Sequence, residues 1–522
     1  MSQDKYPMAE AVRAAYRAGQ EDESLEPLVR VDDNGRPVGS IQDGDYVIFY
    51  DIRGEREVEL TAAFVKPDFA HFARPPMRVH FATMIEYHPD LDVQVAFPPQ
   101  GQVQDTLFEV VSKASRRQTK VVESEKAIHI SFFLNGKGEA AFPGEERVVI
   151  PSPHPASHAD MPPTMQAEAV ADAAIQALRD PDQALVTVNL ANVDVIGHIE
   201  NRDAIRTAVQ TVDTQAGRII EAAHEAGVTV VVTADHGTVE RWFYADGTID
   251  TGHTDSPVPF ILVEPGLDQV LRPGGALTDV APTVLQLLGL PQPEAMTGQS
   301  LLTSPPPARE RRLLLLILDG WGIGDGGPGD LIAQAATPVM DGLWARWPHT
   351  QLTASGPAVG MPPGTVGNSE AGHLHIGAGR VVPADRLRIE QALKDGSFYE
   401  NPAFRWAMQG AKRAGRRLHL LGIVSFYSSH GSVDHLLALL EMARRERVPE
   451  VYVHSMLGRR GERPESGAIY IEQVEREAER LDVGQVATVI GRFWSLDREG
   501  NWGRIEKTYR LLVEGRGQPV SG

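Results

Sequence analysis

Val228-Thr229-Val230-Val231-Val232-Thr233-Ala234-Asp235-His236-Gly237 is the stretch on which the fold turns. Six residues of β-branched, mostly apolar character read as a buried strand. It ends abruptly in two metal-ligating side chains, neither of which helps a core. Asp194-x-x-x-His198 lies upstream of it and His253 downstream. Asp194 and His198 are four apart, so a helical turn puts them on one face, where they can chelate one ion. Two further oxygen donors, Asp319 and Ser369, follow later in the chain.

Working outward, short aliphatic runs alternate with helical patterns, the signature of an α/β protein with largely parallel sheets. The runs Tyr46–Tyr50, Val186–Leu190, Leu313–Leu318, Leu418–Ile423, Val451–His454 and Val486–Ile490 are expected to be strands. Helices are expected over Met165–Leu178, Ala204–Ala226, Val280–Leu288, Val433–Arg445 and Ile471–Leu481. Asp319 and Asp235 end strands directly, and Asp194 follows one after a short turn. Ligands collect at the carboxyl ends of parallel strands, so three carboxylates there predict one shared site. Thr303 to Arg312, with three prolines and a charge cluster, reads as an irregular linker.

Composition narrows the chemistry. The chain of 522 residues is long enough for two or three domains, and its net charge of −20 argues against non-specific nucleic-acid binding. With no cysteine, a metal must sit on Asp, Glu, His, Ser or water. The amino-terminal stretch lacks a signal-peptide core, and the longest aliphatic run is too short to span a bilayer. A cytoplasmic enzyme without membrane contact is the expectation. Gly322-x-Gly324-x-x-Gly327 fits a dinucleotide fingerprint by pattern alone. Pro328 and Gly329 follow at once, and no acid for a ribose ends the next strand candidate, so that reading is set aside.

Ser369 sits in Gly367-Asn368-Ser369-Glu370-Ala371-Gly372-His373. The serine is either a helix N-cap or a metal-activated nucleophile. Taken with Leu316-Ile317-Leu318-Asp319-Gly320-Trp321-Gly322, Ile376-Gly377-Ala378-Gly379-Arg380 and Thr233-Ala234-Asp235-His236-Gly237, this segment resembles the cofactor-independent (2,3-bisphosphoglycerate-independent) phosphoglycerate mutases of the alkaline phosphatase superfamily. The resemblance runs over nearly the whole chain.

What the resemblance implies is specific. It implies a three-layer α/β/α metal domain and a smaller α/β substrate-binding, or transferase, domain. It implies two divalent ions, Mn²⁺ or alternatively Mg²⁺, Co²⁺ or Zn²⁺, with no 2,3-bisphosphoglycerate. One ion would be held by Asp194, His198 and His253, the other by Asp319, Ser369, Asp235 and His236. Phosphoglycerate would be gripped by His430, Arg460, Arg492, Arg498, Arg53, Arg56 and Lys126. Ser369 would take the phosphoryl group, giving a phosphoserine intermediate in the interconversion of 3- and 2-phosphoglycerate in glycolysis and gluconeogenesis. A phosphatase or another phosphomutase of the superfamily is the alternative, and a monomer is expected.

The order of the motifs departs from the family. There the Asp-Gly-Trp-Gly strand comes first and Thr-Ala-Asp-His-Gly late. Here Met296 to Leu302, resembling the family's C-terminal stretch, meets Leu313–Gly322, resembling its start, through the proline linker. This reads as a circular permutation. It predicts a continuous metal domain over 100–382, including the linker 303–312, and a substrate domain split into 1–99 and 383–522. Hinges are expected near Phe97-Pro98-Pro99 and Arg380-Val381-Val382. Two local departures stand out. Phe426-Tyr427-Ser428-Ser429 precede His430 where the family has Asp-Gly-Gly, and Gly461 replaces an Asp after Arg460, with Glu462 or Asp497 as candidate substitutes.

Overall fold

The computed structural model describes residues 5–153, 155, 158–244, 246–267, 269–425, 430–458 and 465–521. Arg460, Gly461 and Glu462, and the four residues 426–429, lie outside them. The chain forms two compact units, Met1–Pro99 with Arg388–Gly522, and Gln100–Leu387. Each has its own sheet and its own apolar core.

The sheet of Gln100–Leu387 has seven strands, in the order His349–Leu352, Val258–Val263, Thr229–Thr233, Leu313–Leu318, Gln183–Leu190, Arg117–Glu123 and Glu145–Ile150. Leu313–Leu318 lies at its centre because every one of its residues is aliphatic and buried, which a strand covered on both faces requires. It runs parallel to Thr229–Thr233 and Gln183–Leu190, with Leu318 opposite Leu190 and Ile317 opposite Thr233. That register brings the residues following all three strands to one rim. Val258–Val263 runs antiparallel, so the loop preceding it reaches the same rim.

Helices cover the sheet in two groups. Ala167–Arg179 and Arg202–Glu225 pack on each other and on the sheet, and Leu107–Lys113 and Val280–Leu288 form the second group. Arg202–Glu225 is helical for a local reason. Ile205, Ala208, Val209, Val212, Ala216, Ile219 and Ala223 recur at three- and four-residue spacing and are buried, while Asn201 accepts from the Ala204 N–H at 3.1 Å as its cap. The same helix buries Asp213, whose carboxylate accepts from the Val339 and Met340 amides at 3.1 and 2.8 Å. It thereby satisfies the open end of helix Pro338–Arg346.

The other unit has an eight-stranded sheet, ordered Gln518–Ser521, Leu28–Val31, Gln485–Gly491, Val451–Leu457, Leu418–Ile423, Tyr46–Phe49, His80–Ile85 and Gln94–Phe97. All neighbours are parallel except Leu28–Val31 against Gln485–Gly491. Among the described residues, no helix is long and apolar enough to cross a membrane.

The segment read as a free linker is irregular, yet it is fastened. Arg311 and Glu264 are both buried and paired at 3.0 Å, Thr229 Oγ1 donates to the same carboxylate at 2.7 Å, and Arg312 donates to the Gln183 carbonyl at 3.0 Å. The charge cluster of the linker is therefore used to hold the loop against the base of the sheet.

Candidate metal centre and the cation cluster

The rim of the seven-stranded sheet carries the donors. Asp319 follows Leu313–Leu318, and its N–H donates to the Leu190 carbonyl at 3.1 Å. The Asp319 carbonyl in turn accepts from the Asp194 N–H at 3.1 Å. Gly320 N–H donates to Asp235 Oδ1 at 3.1 Å. Gly320 has φ +81°, and a Cβ there would lie 2.9 Å from the Asp194 Cα, so only glycine permits the three carboxylates to close up.

Asp194 lies in the first turn of the short helix Asn192–Gly197, whose C-cap is His198. Its Oδ1 lies 3.4 Å from His198 Nε2 and 3.1 Å from His253 Nε2, and the two ring nitrogens are 3.2 Å apart. His198 Nδ1 faces the Thr251 carbonyl at 2.7 Å, and His253 Nδ1 faces that of Gly367 at 3.0 Å. A carbonyl only accepts, so each Nδ1 carries the proton and each Nε2 presents a lone pair. Two lone pairs and a carboxylate oxygen converging in this way repel one another unless a cation lies among them. The donor set therefore fits a divalent ion, with backbone carbonyls orienting the imidazoles from behind.

A second set adjoins it. His236 Nδ1 faces the Gly237 carbonyl at 3.1 Å. Its Nε2 faces Ser369 Oγ at 3.0 Å, Asp235 Oδ2 at 3.5 Å, and Asp319 and Asp194 Oδ1 at 3.6 Å. The same argument applies, and these donors also fit a divalent ion. Ser369 opens the helix Ser369–Ala378 rather than capping it, since the Asn368 side chain accepts from the Ala371 N–H at 2.8 Å and is the cap. That leaves Ser369 Oγ turned to the donors, 3.2 Å from Asp319 Oδ1.

Lys126, in the turn after Arg117–Glu123, puts its ammonium inside this set. Nζ donates to Asp194 Oδ2 at 2.6 Å, Asp319 Oδ1 at 2.8 Å and Ser369 Oγ at 2.6 Å. Burial opposes its charge, but the Asp194 and Asp319 carboxylates outweigh burial and hold its pKa above the lysine value. Asp194 is opposed by burial too, and the Lys126 ammonium holds it well below the carboxylate range.

Several residues that the sequence reading passed over hold these donors in place. Asn189 Nδ2 donates to Asp319 Oδ2 at 2.7 Å and faces His373 Nε2 at 3.1 Å. His373 Nδ1 lies 3.2 Å from Asp235 Oδ2 and 2.8 Å from the Ser369 carbonyl. Glu240 is buried, accepts from Thr238 N at 2.8 Å and from Thr254 Oγ1, and packs where Gly237 and Gly322 have no side chain. A polar residue inside an apolar strand was the available signal for Asn189. His373, one helical turn after Ser369, carried another.

The arginines gather in the other unit, again after the carboxyl ends of parallel strands. Arg53 immediately precedes helix Gly54–Val65, and Arg56 in its first turn donates to the Leu496 carbonyl at 3.2 Å. Arg492 donates to Glu23 at 3.0 Å, and Arg498 to Glu55 at 2.5 Å. Arg492, Arg53 and Arg56 all act electrostatically on His430, whose Nδ1 lies 2.7 Å from Glu57 Oε1. Two and more guanidinium forks around one histidine make a site for an anion with several oxygens.

Such a centre of Asp, His and Ser donors at a sheet rim is that of a metalloenzyme, and a model of the Metalloenzyme superfamily matches residues 27–292, half of the chain. The chain belongs to the Metalloenzyme superfamily. A second model, the N-terminal region of BPG-independent phosphoglycerate mutases, matches residues 389–521. The chain is 40% identical over 296 residues to the 2,3-bisphosphoglycerate-independent phosphoglycerate mutase of Syntrophotalea carbinolica, covering 56% of this chain and 57% of that one. It is 45% identical over 273 residues to the protein of that name from Synechococcus sp. strain JA-3-3Ab, covering 51% of each. The chain thus spans about half the length of the curated relatives it matches. A phosphoglycerate mutase from Leishmania mexicana, solved at low cobalt concentration, aligns over 52% of this chain and 53% of its own at 30% identity, with a TM-score of 0.38.

Proposed function

We propose that this chain interconverts 3-phosphoglycerate and 2-phosphoglycerate without 2,3-bisphosphoglycerate, through a phosphoserine on Ser369. The observation that carries the reading is the setting of Ser369 Oγ, which lies 2.6 Å from Lys126 Nζ, 3.0 Å from His236 Nε2 and 3.2 Å from Asp319 Oδ1. A hydroxyl so placed is a nucleophile in waiting. Asp194, His198 and His253 would hold one divalent ion, Mn²⁺ in our assignment, and Asp319, Ser369, Asp235 and His236 would hold a second. When bound they neutralise phosphoryl oxygens and make the serine hydroxyl more acidic.

The chain's own residues do the rest. Ser369 Oγ, its proton already lost to solvent and its charge offset by the Lys126 ammonium, attacks phosphorus in line; the bond from phosphorus to the glycerate oxygen breaks, and that oxygen takes up a proton. Lys126 donates to Oγ and offsets the carboxylate charge around it. The glycerate, recognised through Arg53, Arg56, Arg460, Arg492, Arg498 and His430, presents its other hydroxyl, which takes the phosphoryl group back. One chain supplies every group, so a monomer suffices.

We also infer that the chain is circularly permuted relative to its relatives. The order of the two family matches supports this, since the model for the relatives' N-terminal region matches after the Metalloenzyme match rather than before it. A chain recut within 303–312 and joined at its present ends should fold and keep its activity; failure to do so counts against permutation.

The test is an enolase-coupled assay on 3-phosphoglycerate after chelation and after Mn²⁺ return. Activity should vanish and come back, and labelled phosphate should be trapped on the wild type but not on Ser369→Ala. Release of inorganic phosphate with no 2-phosphoglycerate would overturn the mutase reading in favour of a phosphatase.

A further inference from the structure

Asp51, Glu57 and His430 form a buried cluster apart from the metal donors, their ligating atoms all within 4.8 Å of one another. Each belongs to a different part of the unit. Asp51 follows strand Tyr46–Phe49, Glu57 lies on helix Gly54–Val65, and His430 follows Leu418–Ile423. The cluster is held firmly. Asp51 Oδ1 accepts from Ile423 N at 2.8 Å, and the His430 carbonyl accepts from Ile52 N at 2.5 Å. Tyr87 Oη reaches the Asp51 carbonyl at 2.8 Å. Glu57 is 0% and His430 2% exposed, and 2.7 Å separates Oε1 from Nδ1.

A buried carboxyl against a buried imidazole at that distance holds one proton between them. The nearby charges are Arg56 on the helix of Glu57 itself, Arg53 just before it and Arg492 after strand Gln485–Gly491, with Asp51 and Tyr87 behind. Three guanidinium groups beside the cluster oppose a metal cation there. They favour an anionic ligand whose oxygens exchange protons.

We propose that Glu57 is the positioning residue that lets His430 alternate between proton donor and proton acceptor at Nε2. In the donor form Glu57 Oε1–H donates to Nδ1 and the ring carries Nε2–H. When Nε2–H passes to a leaving glycerate oxygen, the Oε1 proton moves to Nδ1. The ring stays neutral in its other tautomer, and Glu57 becomes a carboxylate. The reverse transfer takes a proton from the second glycerate hydroxyl and restores the pair. One N–H bond breaks as one O–H bond forms in each direction, and no co-reactant is required. Burial raises Glu57 to about 8 and lowers His430 to about 4, so the donor form is the resting one near neutral pH. Burial raises Asp51 well above the carboxylate range, which disfavours a second negative charge in the cluster.

This inference rests on the phosphoglycerate reading for its substrate, but its first test does not. In the full chain with isotopically labelled histidine, the nitrogen resonances of His430 are identified by their loss in His430→Gln. The His430 tautomer should switch from Nε2–H to Nδ1–H as pH rises through about 8, with no charge on the ring. Glu57→Gln should stay locked as Nε2–H, and Glu57→Asp should restore the switch. An unchanging tautomer in the wild type, or a switch that survives in Glu57→Gln, overturns the proposal whatever the chain's activity. In turnover, Glu57→Gln should lower kcat about 100-fold with KM little changed, the loss of a proton-transfer group. Equal loss in kcat and gain in KM would instead mark a structural role and overturn it. A tautomer switch in a chain with no mutase activity would leave the pair standing and sink only the substrate.

Discussion

Lys126 Nζ lies 2.6 Å from Ser369 Oγ, and the same ammonium bridges Asp194 and Asp319. Lys126, read from the sequence as a substrate contact, thus also sits among the candidate metal donors, in contact with a carboxylate of each candidate set and with Ser369 Oγ.

Lys126→Met should therefore act twice. Buried carboxylates left without their ammonium destabilise the chain by roughly 3 kcal/mol or more in chelator. Divalent ion should raise the variant's Tm by more than it raises that of the wild type. Turnover should fall about 100-fold, because a preorganised charge beside the reacting oxygen is gone. Thermal melts with and without Mn²⁺, paired with the coupled assay, read both effects. An equal Tm rise in the two proteins would contradict the coupling.

Gly320→Ala tests the rim geometry. A methyl group at φ +81°, 2.9 Å from the Asp194 Cα, forces the loop to move. The expected cost is about 1–3 kcal/mol in urea unfolding, with loss of one bound ion by calorimetric titration. Full ion stoichiometry in the variant would show that the donors tolerate a shift there.

Arg311→Met should detach the proline-rich segment. Glu264 would remain buried, with Thr229 and Arg309 as its remaining partners. A loss of about 2–3 kcal/mol is expected, somewhat below that of an isolated broken buried pair. Proteolysis within 303–312 should accelerate. Unchanged cleavage would mean that other contacts suffice to hold the loop.

A chain of buried groups crosses the eight-stranded sheet. Asp45 Oδ2 lies 3.1 Å from His419 Nε2, His419 Nδ1 2.9 Å from His454 Nε2, and His454 Nδ1 2.9 Å from Thr488 Oγ1. Burial lowers both histidines, although Asp45 pulls His419 partly back; Arg417 and Glu450 are the other charges acting on His419. The unfolded chain takes up protons on these rings from about pH 6.5 downward while the folded chain does not. Stability should hold above that pH and fall below it, by up to about 1.4 kcal/mol per pH unit for each ring. Urea midpoints between neutral and mildly acidic pH measure the slope, and His454→Gln should flatten it. An unaltered slope would locate the acid sensitivity elsewhere.

Much was legible in the sequence because it is written in local pattern. Leu313–Leu318 declares a central strand by having nothing polar in it, and structure bounds it at the same residues. Leu418–Ile423 and helix Val280–Leu288 likewise appear with the expected bounds, because most of their residues are aliphatic and buried. Short or mixed strands such as Leu28–Val31, Gln94–Phe97 and Glu145–Ile150 were not legible, since their polar residues find partners only once the sheet exists.

The sequence by itself determined which residues are donors, and that they follow strands, because donor chemistry and strand patterning are properties of single residues and short windows. Only the tertiary structure decided what each donor faces. That Lys126 enters the donor set and that Glu57 stands against His430 depend on register and on residues 68 and 373 positions apart. No local pattern encodes such distances. They follow from parallel strands delivering distant loops to one rim, where burial then fixes which charge and which proton each group keeps.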